Sequence, residues 1–272
     1  MNLRVTSVHI CTLLLLLASH SVWAKSPSVA FYYADNPPVD ILSQFDWVIL
    51  ESENISTTQR VSVQQNGAKT FAYLSIGEAN RHRSWWKQVK SDWILGENTT
   101  WDSAIMDLTH PGWQQFVLQR AQKLWQAGYR GFFLDTMDSY LIQSTNKADQ
   151  QKQQAALVQL VHRLKQQLPN ALIITNRGFE VIPDIARDID AVAAESLYAQ
   201  WNNNDQNYQP VATEDHDWLI NQLQNIQSEY SLDIIAIDYL PPSQRQQART
   251  IAKKILDQGF IPWVATPAFD YV

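Results

Sequence analysis

The chain has 272 residues and carries 27 acidic against 21 basic side chains, a net charge of −6. That balance argues against nucleic acid as a partner, because such partners need a basic patch or stripe. One cysteine, Cys11, excludes an intramolecular disulfide and a cysteine-built metal centre, and the length suits one large domain or two small ones.

The first 24 residues read as a secretory leader. Arg4 and the amino terminus give a basic start, Leu13 to Ala18 form an apolar run, and Val22-Trp23-Ala24 closes it with small residues. The run is far shorter than the roughly 20 apolar residues of a spanning helix. Cleavage after Ala24 is therefore expected, leaving residues 25–272 in the periplasm or outside the cell. Cys11 would leave with the leader, and no later segment is long and apolar enough to cross a membrane.

Beyond the leader, short apolar runs recur at Val29–Ala34, Trp47–Leu50, Thr70–Ile76, Gly131–Asp135, Ala171–Thr175, Ala191–Glu195, Ile234–Asp238 and Ile261–Ala265. Most are continuous rather than alternating, the pattern of parallel strands covered on both faces. Helical stretches lie between them. Pro111 suits the first turn of a helix reaching Ala127, with Gly128 as its stop. Residues 147–168 put Ala156, Leu157, Leu160, Val161 and Leu164 on one stripe, and 215–229 and 243–258 are similar. Eight strands alternating with helices predict a (β/α)₈ TIM barrel of the α/β class, with the usual final helix missing or replaced. An open doubly wound sheet is the alternative. The long 79–109 stretch, with Trp85, Trp86, Trp93 and Trp101, reads as an insertion that shapes the barrel mouth.

Acids end six of the eight runs: Asp35, Glu51 with Glu53, Glu78, Asp135, Glu195 and Asp238. Barrel enzymes place their chemistry at those ends. Side chains alternate along a strand, so Phe133 shares a face with Asp135, and Ala191 and Ala193 share one with Glu195. Asp135 and Glu195 can then face each other across the mouth at about 5–6 Å, the spacing of a retaining glycosidase pair. Glu195 follows two alanines, so its surroundings should be the less polar and keep it protonated. Tyr73 on a neighbouring strand is a candidate donor to Asp135. For Asp138, capping of the following turn competes with a binding role. No histidines pair at ligand spacing among His82, His110, His162 and His216, and no glycine-rich phosphate loop follows a strand, so neither metal nor cofactor is expected.

The segments Val29-Ala30-Phe31-Tyr32-Tyr33-Ala34-Asp35, Tyr73-Leu74-Ser75-Ile76-Gly77-Glu78, Gly131-Phe132-Phe133-Leu134-Asp135-Thr136 and Ala194-Glu195-Ser196 together resemble the endo-α-1,4-polygalactosaminidase family of barrel hydrolases. The resemblance implies endo-cleavage of α-1,4-linked galactosamine and N-acetylgalactosamine polymers. It also implies that Asp135 and Glu195 are catalytic, as nucleophile and acid/base respectively. Asp35, Tyr73, Glu78, Asp138, Asn176, Tyr198 and Asp238 are then the candidates for binding an amino-sugar polysaccharide. Proteins of exopolysaccharide assembly are the expected partners of a chain that acts as a monomer. A barrel that binds polysaccharide without cutting it is the competing reading.

Overall fold

The computed structural model describes residues 26–272, so the expected leader at residues 1–24 lies outside the described residues. Eight parallel strands pair in chain order. They are β1 (Val29–Tyr32), β2 (Trp47–Leu50), β3 (Lys69–Ser75), β4 (Gly131–Asp135), β5 (Leu172–Asn176), β6 (Ala191–Glu195), β7 (Asp233–Tyr239) and β8 (Ile261–Ala265). The first and last come together where the Tyr33 N–H donates to the Phe269 carbonyl (2.8 Å) and the Phe31 ring meets that of Trp263 (6.2 Å). The sheet is thus a nearly closed (β/α)₈ barrel, not an open one.

All eight apolar runs became strands. Register puts Tyr73, Phe133 and Ile174 side by side on β3, β4 and β5, and Asn176, Ala193 and Ile235 side by side on β5, β6 and β7. Neighbours in register point to the same face, so these rows fill the interior. Phe31 and Phe133 meet edge to face there at 5.1 Å.

The helices are α1 (Val39–Leu42), α2 (Thr57–Val63), α3 (Pro111–Ala127), α4 (Lys147–Gln167), α5 (Ile182–Ile185), α6 (Thr213–Tyr230) and α7 (Arg245–Asp257). The four long ones match the sequence pattern. Helix α3 begins where His110 accepts the Gly112 N–H (3.1 Å), with Pro111 in the first turn. It ends at Gly128, whose φ of 105° only glycine adopts readily.

Among the described residues no helix follows β8. The outer-facing Pro262 and Val264 remain half-buried, and an apolar groove of about 750 Å³ runs between them and Ala248, Ala252 and Leu256 of the α7 segment. The 79–109 insertion contains a small antiparallel sheet of Glu78–Asn80, Ile94–Asn98 and Ser103–Met106. Trp85 and Trp93 of this insertion are buried, and Trp93 packs on Trp113 and Phe116 of α3 rather than on the mouth. A hairpin, Ala199–Asn202 with Asn207–Pro210, stands above β6. Among the described residues no helix is long and apolar enough to cross a membrane.

Gly128→Ala should destabilise the fold by about 1–2 kcal/mol, since it forces an alanine into the left-handed region. Its Cβ would also lie 2.6 Å from the Arg60 guanidinium. Urea unfolding should show a lower midpoint with an unchanged slope, and an unchanged midpoint would mean that this turn relaxes freely.

Candidate active site

Asp135 and Glu195 end β4 and β6, both half-buried at the mouth. Between them Asn176 ends β5, and its amide nitrogen donates to both, to Asp135 Oδ1 at 2.9 Å and Glu195 Oε1 at 3.2 Å. Those two oxygens therefore lie no further apart than the two bonds laid end to end, about 6 Å. The other oxygen of each carboxylate takes a phenol. Tyr73 donates to Asp135 Oδ2 (2.6 Å) and Tyr239 to Glu195 Oε2 (2.5 Å). Tyr33 lies beside both acids, its ring edge-on to Tyr73 at 5.3 Å. Burial, reinforced by the nearby carboxylates, pushes all three phenols well above their ordinary range, so they stay protonated as donors.

The backbone is shaped around these groups. Thr136 and Arg177, the residues after Asp135 and Asn176, both have positive φ, 62° and 55°. Side chains rarely adopt that region, and it concentrates at functional sites. Thr136 Oγ1 accepts the Gly77 N–H (3.0 Å) and shares a hydrogen bond with the Ser75 hydroxyl (2.8 Å). A Cβ on Gly77 would lie 2.0 Å from the Thr136 carbonyl oxygen, so only glycine lets the end of β3 approach this turn. On the Glu195 side, Arg177 Nη2 donates to the Glu195 carbonyl (3.1 Å). The Glu195–Ser196 peptide is cis.

Burial raises the Glu195 carboxyl above its ordinary value, and the neighbouring Asp135 charge adds to this. Hydrogen bonds from Tyr239 and Asn176 and the charge of Arg177 act the other way. The protonated acid therefore persists to higher pH than in an ordinary glutamate.

The remaining sequence candidates divide. Tyr73 and Asn176 are on the pair. Asp138 is half-buried nearby, with burial raising its carboxyl and Arg177 opposing that. It starts the short turn at Ser139–Ile142, yet its side chain makes no capping bond. Asp35 is exposed in the loop after β1.

Three candidates lie away from the pair. Glu78 is buried and accepts from Asn98 Nδ2 (2.9 Å), Ser139 Oγ (2.6 Å) and the Ser103 hydroxyl. It pins the insertion to the loop after β4, because a buried carboxylate must find donors. Asp238 alternates with Ile237 and Tyr239, and Ile237 is in register with Glu195, so Asp238 faces away from the barrel axis. There it accepts the N–H groups of Tyr198 and Ala199, both at 2.6 Å, and burial pushes its carboxyl up to about 6. Tyr198 packs against His216 of α6 (4.9 Å) with Lys254 of α7 over its ring (5.1 Å), on the outside of the barrel.

Tyr33, Tyr239 and Arg177 were not singled out from the sequence. Strand alternation carries the signal for Tyr239, which shares the parity of Ile235 and Ile237 and hence of the interior.

Two bridged carboxylates at the mouth of a parallel barrel form the constellation of a glycoside hydrolase. The chain belongs to glycoside-hydrolase family GH114, whose model matches residues 14–272. It is 38% identical to the glycoside hydrolase domain of PelA from Pseudomonas aeruginosa, with a TM-score of 0.85 over 91% of this chain and 98% of that one. Ega3 from Aspergillus fumigatus, solved in complex with galactosamine, shares the fold at 14% identity and a TM-score of 0.66, over 89% of this chain and 91% of its own. An uncharacterized protein of Methanocaldococcus jannaschii is 20% identical over 86% of this chain and 74% of its own.

Tyr239→Phe removes a donor that favours the charged form of Glu195, so the carboxyl should titrate higher. A hydrogen bond to a charged group is worth about 1.5–3 kcal/mol, and 1.36 kcal/mol is one pH unit, so the shift should be about one to two units upward. Carbon NMR of the labelled glutamate carboxyl reads it directly. A titration unchanged from the parent would show that this phenol does not govern Glu195.

Proposed function

We propose that the protein is an endo-acting hydrolase of α-1,4-linked galactosamine and N-acetylgalactosamine polysaccharide, working with retention through Asp135 and Glu195. The observation that carries this reading is the Asn176 bridge, which keeps the nearest carboxylate oxygens within about 6 Å. Retaining pairs stand about 5–5.5 Å apart, whereas inverting pairs leave about 6.5–9.5 Å for a water. Likeness to the PelA hydrolase domain and the galactosamine bound to Ega3 support the choice of polymer.

In this mechanism Asp135 attacks the anomeric carbon while Glu195 gives its proton to the departing glycosidic oxygen. The carbon–oxygen bond to the leaving chain breaks as the ester to Asp135 forms. Glu195, now a carboxylate, takes a proton from water, whose oxygen displaces Asp135 and restores both groups. Tyr73 and Asn176 donate to Asp135 and aim it, and burial favours the protonated form of Glu195 needed in the first step.

Incubation with partially deacetylated polygalactosamine and mass analysis of the fragments tests the activity. Asp135→Ala should abolish turnover on every substrate. Glu195→Ala should lose turnover on the polymer but retain part of it on an aryl glycoside with a good leaving group, with partial rescue by azide. Reversed rescue would exchange the roles, and near-normal polymer cleavage by both variants would refute the mechanism.

We also propose export, with residues 1–24 removed. Protein isolated from its native host should begin at Lys25, and an intact Met1 would refute this.

A further inference from the structure

An enzyme that cuts inside a polymer must hold sugar units beyond the scissile bond. Beyond Arg177, which bonds the Glu195 carbonyl, α6 carries a large aromatic side chain that the fold leaves half exposed. Trp218, in the second turn of α6, is 50% exposed. The helix does not need it for docking, since Leu219, Leu223 and Ile226 already bury its core face. Exposure of one indole alone is ordinary, so what matters is the set of groups around it.

Its neighbours make a shaped surface. The Phe179 ring stands edge-on to Trp218 at 5.9 Å. The Arg177 guanidinium lies 5.9 Å from the centre of each ring. That same Arg177 bonds the Glu195 carbonyl, so one side chain ties the aromatic pair to the acid's own backbone. Asp138 borders Arg177 on the Asp135 side. The flat C–H face of a pyranose matches an indole face, and a guanidinium offers up to five donors to ring hydroxyls or an acetamido carbonyl.

We propose that Trp218, Phe179 and Arg177 form a subsite that takes a hexosamine ring of the departing chain, on the Glu195 side of the scissile bond. The ring stacks on Trp218, and Arg177 donates to its oxygens. This rests on the hydrolase reading above and adds to it a specific contact for the leaving side.

The test is Trp218→Ala, read in two ways. On the active enzyme, kcat/KM for the polymer should fall about tenfold, the order expected for one aromatic stacking contact. The loss on a glycosyl fluoride, whose leaving atom is too small to reach α6, should be several times less. In the inert Glu195→Gln background, calorimetry should show weaker binding of galactosamine oligomers to the variant, with the gap widening as the oligomer lengthens. Trp218→Phe should recover most of both losses. Equal losses on polymer and fluoride would overturn the subsite, and so would unchanged oligomer binding. Wild-type protein inert on the polymer would sink the hydrolase reading instead, and the binding arm would still decide the subsite.

Discussion

One amide group holds the mouth of this barrel together. Asn176 spends both of its N–H donors on two carboxylates from neighbouring strands, which would otherwise repel each other across a confined space. For this to happen β4, β5 and β6 must be adjacent, in register, and must all end with their inward parity occupied by the right residue. The alanines at 191 and 193 leave room below Glu195. Gly77 lets β3 close against the Asp135 turn, and left-handed residues at 136 and 177 turn the chain away at once. The amide oxygen of Asn176 is buried without a partner, so the bridge is made at the expense of a good acceptor.

The charge around the pair is arranged indirectly. No arginine or lysine makes an ion pair with Asp135 or Glu195 among the described residues. Arg83 pairs with Glu51 at 2.6 Å and presents its guanidinium to the Tyr73 ring at 5.4 Å. Arg177 meets Glu195 through the backbone carbonyl. A direct cation would hold both acids ionised. Phenols and an amide support a carboxylate while leaving one partner free to keep its proton, which is the asymmetry that acid and nucleophile require.

The sequence made the barrel plain because strands buried on both faces read as apolar runs, and eight such runs leave few architectures. It also exposed Asp135 and Glu195, since acids at the ends of apolar runs need a reason to be there. The same feature hid the rest. A run that is apolar on both faces does not say which residues point inward, so Asp238 drew attention as an acid while Tyr239, one step along, is the group on Glu195. Glu78 and Tyr198 sit at or just beyond strand ends, and nothing in their sequence neighbourhood separates them from the residues on the pair. One anchors the insertion, and the other packs on α6 and α7. The small sheet at the 79–109 insertion is built from strands too short to show a period, and its buried tryptophans pack on α3.

That insertion has two unlike ends. Its base is fastened by the packing of Trp85 and Trp93 on α3 and by a buried carboxylate, Glu78, which accepts from side chains of its own strands and of the Asp135 loop. Its far turn carries Trp101, 58% exposed. That tip makes none of the hydrogen bonds on Asp135 or Glu195, so a change of residue there leaves the geometry of the pair in place.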